Sequence, residues 1–131
     1  MTAPTAAGEP RARFVEHDGQ RIILFDFSGI TDVELGLTEV EKARQFVAAN
    51  ATPDGSYYTL TDVTRTRYDK KIVDAFKVFT AHNRPYVKAA AVVSDSGIHR
   101  AAISMIALVS KRRIVTFDTR AAALEWLAKQ R

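Results

Sequence analysis

Residues 86–131 read strand, helix, strand, helix with almost no slack between the elements, and this restricts the rest of the chain more than any other feature. Lys88 to Val93 (KAAAVV) is a short apolar run, closed by Ser94-Asp95-Ser96-Gly97. Ile98 to Ser110 carries apolar residues at helical spacing, Arg113 to Phe117 (RIVTF) is a second strand, and Thr119 or Asp118 caps a last helix with Leu124, Trp126 and Leu127. One helix between two strands gives the chain the length to cross over and lay the strands parallel in one sheet. The remainder must then build outward from that unit.

The upstream residues supply the other elements. Arg13 to Glu16 and Arg21 to Phe27 flank His17-Asp18-Gly19-Gln20, and Asp-Gly between strand-like runs predicts a hairpin, because both turn positions need positive φ. Arg21 to Phe27 (RIILFDF) is apolar on both faces, as in a central strand covered by helices. Thr31 with Glu34 has the spacing of a capping box for a helix lined by Val33, Leu37, Val40, Ala43, Phe46 and Val47. Asn50 to Ser56 is a loop, and Tyr57 to Val63 returns as a strand. Asp69 caps a helix with Ile72, Ala75, Phe76 and Phe79 on one face, which ends at Asn83-Arg84-Pro85. The predicted order is ββαβαβαβα in one α/β domain over residues 13–131, behind a disordered tail at 1–12.

Composition narrows the class of function. The chain has 131 residues, 47% hydrophobic and 26% charged, the balance of one globular domain. It has no cysteine, which excludes disulfides and thiolate chemistry and fits the cytoplasm. No run approaches the ~20 apolar residues of a membrane span, and residues 1–12 lack the apolar core of a signal peptide. A net charge of +4 permits an anionic partner without requiring one.

From Asn83 onward the residues NRPYVKAAAVVSDSG, KRRIVTFDT and AALEWL resemble bacterial SpoIIAA-like proteins of the STAS/SEC14 group. The resemblance is densest over residues 83–130. It implies a mostly parallel five-stranded sheet with an antiparallel first strand, flanked by four helices. It also implies a non-enzymatic role: regulation through a protein partner, or carriage of a small anionic or lipidic ligand. Anti-sigma-factor antagonists of this group are phosphorylated on a serine in an Asp-Ser-Ser-Gly motif at the start of the second helix. Here the region reads Tyr68-Asp69-Lys70-Lys71-Ile72, with lysines at the serine positions, so the resemblance does not extend to that switch.

Three candidate sites follow. The first is an anion rim at the carboxyl ends of the parallel strands, where open α/β sheets place ligands: Ser94, Ser96 and Gly97 at a helix start, Arg100 on that helix, and Arg65, Arg67, Lys70 and Lys71 after a neighbouring strand. Against it, Ser94 or Ser96 can simply cap the helix, and Asp95 repels an anion. The second is an interface on the helix from Ile98. With Ile98, Ala102, Met105, Ile106 and Val109 toward the sheet, Ile103 and Ala107 fall opposite and Leu108 on a flank, offering a homodimer, partner or acyl-chain contact unless a neighbouring helix covers them. The third is phosphorylation at Thr64 or Thr66, beside arginines. Catalysis finds little support, and a small α/β enzyme is a distant third reading. His17, His82 and His99 are scattered, and there is no HExxH, P-loop, G-x-G-x-x-G or G-x-S-x-G, so neither a metal nor a cofactor is expected. Lys111-Arg112-Arg113 has no aromatic residues interleaved with it for nucleic acid.

Overall fold

The computed structural model describes residues 10–67, 69–110 and 114–130. Most of the tail expected at 1–12 falls outside these residues, as do Tyr68, Lys111-Arg112-Arg113 and the side chain of Val109.

The Asp-Gly hairpin forms as its sequence demands. Strands β1 (Ala12–His17) and β2 (Gln20–Asp26) pair antiparallel, with His17 opposite Gln20. Asp18 and Gly19 between them have φ of 49° and 76°. From β2 the chain repeats one move. It runs out along a strand and back along a helix: α1 (Val33–Asn50), β3 (Tyr57–Asp62), α2 (Lys70–Asn83), β4 (Val87–Val93), α3 (Gly97–Ser110), β5 (Ile114–Phe117) and α4 (Arg120–Ala128). The sheet order is β1-β2-β3-β4-β5, and every pair after the first is parallel. This is the architecture the sequence predicts. Because the strand order advances in one direction, crossovers of one hand put α1, α2 and α3 on the same face.

Two cores result, one on each side of β2. Ile23, Phe25 and Phe27 face α1 and α2, packing with Val40, Ala43, Val47 and Phe79. Ile22 and Leu24 face the other way with Leu60, Ala91 and Val93, covered by Ala123 and Leu127 of α4. Alternation along β2 decides which residue goes where. In the first core the rings of Phe25, Phe27, Phe76 and Phe79 meet mostly edge to face.

Local details differ from the prediction where two signals compete. Asp32, not Thr31, caps α1, its Oδ2 accepting from Leu35 N at 3.0 Å, because a carboxylate is the stronger acceptor for the exposed amides. Gly36 is buried under α2, and a Cβ there would lie 2.7 Å from Ile72 Cδ1, so α1 and α2 approach closely through the absence of a side chain. Asp69 and Thr119 cap α2 and α4 as expected.

The largest departure is the rotation of α3. Ile98 and Met105, expected on the sheet side, are 63% and 59% exposed, and Leu108 is 75% exposed. Ile106 is buried, and Ile103 packs against the first core instead of facing outward. A helix apolar all round gives periodicity no means of choosing between adjacent stripes. On the outer side of α3, Ile98, Met105 and Leu108 are left uncovered by any element of the described residues.

Candidate functional site

The carboxyl edge of the parallel strands is built by a repeated local device. Asp26, the last residue of β2, accepts from Ser28 N at 3.1 Å and Ser28 Oγ at 2.5 Å. Asp62, the last residue of β3, accepts from Thr64 N at 2.9 Å and Thr64 Oγ1 at 2.7 Å. An aspartate followed two residues later by a hydroxyl residue turns the chain sharply off the sheet. Both aspartates are fully buried, which requires a counter-charge. It comes from α4: Arg120 reaches Asp62 Oδ2 through Nε at 2.6 Å and lies 2.9 Å from Asp26 Oδ1 through its terminal nitrogen. Burial pulls the Arg120 guanidinium down, but the bond to Asp62 and the Asp26 charge outweigh it and hold the group above its ordinary range. The reading by motif missed all three residues. The repetition Asp-Phe-Ser and Asp-Val-Thr at two strand ends was the available signal.

The loops after β3 and β4 meet at this edge. Arg65, at φ 56°, donates its backbone N–H to Asp95 Oδ1 at 3.3 Å, and Thr66 Oγ1 lies 3.3 Å from His99 Nε2. The residues of the expected anion rim are thus neighbours, yet most are engaged with the protein itself. Arg100 donates to Ser94 O at 2.9 Å and bonds Asp118. Lys70 pairs with Asp74 at 3.0 Å, while Lys71 points into solvent at the exposed start of α2. Ser94 is buried, and its Oγ accepts from Ser96 N at 3.3 Å. Ser96 Oγ accepts from His99 N at 3.4 Å, the capping role weighed against ligand binding. Gly97 is exposed with nothing near its Cα hydrogens. Of the threonines considered for phosphorylation, Thr64 is buried with its hydroxyl given to Asp62, and Thr66 donates to Val63 O at 2.7 Å.

Arg67 is placed differently. It lines the mouth of a cavity of about 80 Å³ between the sheet, α2 and α3. The mouth also carries Thr66, Asp69 and His99, and the walls are Ile72, Phe76 and Phe79 from α2 with Ala102, Ile103 and Ile106 from α3. The sheet beneath explains the opening. Where β2 presents Ile23 and Phe25, the register partners on β3 and β4 are Thr59, Thr61, Ala90 and Val92, which are shorter. A smaller cavity of about 20 Å³ between α1 and α2 shares Arg67, Ile72 and Phe76 with it. Elsewhere, His17, Asp18 and Glu125 bring ligand atoms within 4.8 Å of one another beside the β1–β2 hairpin, a closeness the sequence does not suggest. Both carboxylates are exposed, and such surface groupings are common without an ion.

No protein-family profile matches the chain, and no curated protein does. Among solved structures it is similar to an uncharacterized protein of the DUF3478 family with a SpoIIAA-like fold from Shewanella loihica PV-4. The two are 16% identical, with a TM-score of 0.65 over 88% of this chain and 91% of the other. None of the helices among the described residues is long and apolar enough to cross a membrane. A mixed sheet with one antiparallel strand, four helices and this structural neighbour together identify the architecture as a SpoIIAA-like fold.

Proposed function

We propose that this domain is a non-enzymatic binding module that holds a small amphipathic molecule, its apolar part between α2 and α3 and its anionic end at Arg67. One observation carries the reading: a concave, largely apolar cavity opens at the carboxyl edge of the sheet, with an arginine at its mouth. A module that only docks a protein can present a flat surface, whereas a carrier requires such a hollow. The rim supports a single anionic group rather than a polyanion, since Arg100 and Lys70 already face carboxylates. Lys70 and Lys71 at the start of α2 support a module without the phosphoserine switch of the anti-sigma-factor antagonists.

Native mass spectrometry of the purified protein tests the proposal. A co-purifying amphiphile is expected, and Arg67→Glu should reduce its retention. Protein that is free of ligand, with a melting temperature unmoved by any straight-chain acid from acetate to decanoate, would overturn it. A second reading, regulation through a docked protein or a second copy, draws on the exposed Ile98, Met105 and Leu108 of α3. Sedimentation velocity over a range of concentrations tests the self-association version.

A further inference from the structure

The cavity between α2 and α3 is small, at about 80 Å³. An apolar cavity of roughly 150 Å³ takes up benzene, which amounts to about 25 Å³ per carbon. By that measure the present one encloses about three carbons. A long acyl chain does not fit.

One wall decides where the space ends. Ile72 and Phe76 of α2 line this cavity and also the smaller one of about 20 Å³ between α1 and α2. Their side chains form the partition between two hollows that would otherwise join. Ile72 is held from behind, since a Cβ on Gly36 of α1 would lie 2.7 Å from Ile72 Cδ1. The side chain therefore has no room to retreat toward α1 when a ligand enters.

The mouth restricts the polar end. Arg67 lines it together with Asp69, whose Oδ1 accepts from Lys71 N at 2.8 Å. One cation beside one carboxylate suits a monoanion and opposes a dianion such as a phosphate monoester. Past the mouth the walls on both helices are apolar, Phe79 on one side and Ala102, Ile103 and Ile106 on the other. A second charge there would find no counter-ion among the described residues.

We infer that the ligand is a short-chain carboxylic acid, its carboxylate at Arg67 and about three carbons enclosed, with Ile72 as the residue that sets the chain-length limit. This rests on the proposed binding function and fixes the size class of its ligand. Carbons up to the limit leave water and add affinity. Carbons beyond it lift the carboxylate away from Arg67.

The test is chemical-shift titration of the intact protein with straight-chain acids from acetate to decanoate. Affinity is expected to rise about fourfold per methylene as far as butyrate, and to fall from hexanoate onward. Ile72→Ala opens the partition and should move the optimum to hexanoate or beyond. Ala102→Leu fills the cavity from α3 and should abolish binding of every acid without lowering the melting temperature, so the inference stays testable if the first variant does not fold. Affinity that keeps rising to decanoate, an optimum unmoved in folded Ile72→Ala, or butyrate binding retained by Ala102→Leu would overturn the inference while leaving the binding function intact. Binding of no acid by the wild type would overturn both.

Discussion

At the scale of single residues, Arg120 matters most. Two fully buried aspartates converge on it, and they also turn the chain at the ends of β2 and β3. Arg120→Ala is expected to lower stability by about 3–5 kcal/mol, the usual result of leaving buried charges without their partner, read as a fall in the urea midpoint. Arg120→Lys should recover only part of this, since an ammonium cannot reproduce two separately directed contacts. The opposite case is Glu41 on the exposed side of α1. Arg44 bonds it at 2.9 and 2.6 Å and, against desolvation and with help from Gln45, holds its carboxyl down to about 2. A lowered folded-state value means the pair stabilises the fold above the ordinary carboxylate range. That contribution is lost as pH falls through about 2. Carbon-detected NMR should find the Glu41 midpoint there, and Arg44→Ala should return it to ~4.3. Since both groups are solvated, added salt should shrink the difference.

Among the elements, α3 separates what sequence conveys from what it does not. Strand positions, crossovers and the caps Asp69 and Thr119 were readable because each rests on local chemistry: a turn needing positive φ, or an amide needing an acceptor. The rotation of α3 was not, since its apolar residues circle the helix and only the neighbouring elements select a face. The exchange of Ile103 for Ile98 and Met105 follows from that. Substitutions should reproduce the assignment. Ile103→Asp places a charge against the first core and should cost several kcal/mol, enough to abolish cooperative unfolding monitored by circular dichroism. Leu108→Asp, on the uncovered side, should stay within about 0.5 kcal/mol of wild type. If the two variants behaved alike, the orientation of α3 would need revision. The candidate site was legible to a lesser degree. Its location at the carboxyl edge followed from topology, and Arg67 was among the residues named. The cavity was not foreseen, because it arises from short side chains on β3 and β4 meeting long ones from two helices, a sum over residues distant in sequence.

For the whole molecule, the strand order β1-β2-β3-β4-β5 means that every element joins the edge left by the one before it. Such a chain closes mainly short loops and should form its sheet progressively. The exception is the contact that finishes it. Arg120 meets Asp62 across 58 residues, and Asp26 from farther still. A protein ending before Thr119 is therefore expected to lose near-ultraviolet circular dichroism and bind a hydrophobic dye, while keeping much of its helical signal. During synthesis the same geometry separates the two aspartates from their counter-charge in time. The nascent chain carries two aspartates bound for the interior and must hold them hydrated until α4 emerges. The second core closes only once α4 brings in Ala123 and Leu127, so a chain interrupted before Arg120 is expected to stay open to proteolysis.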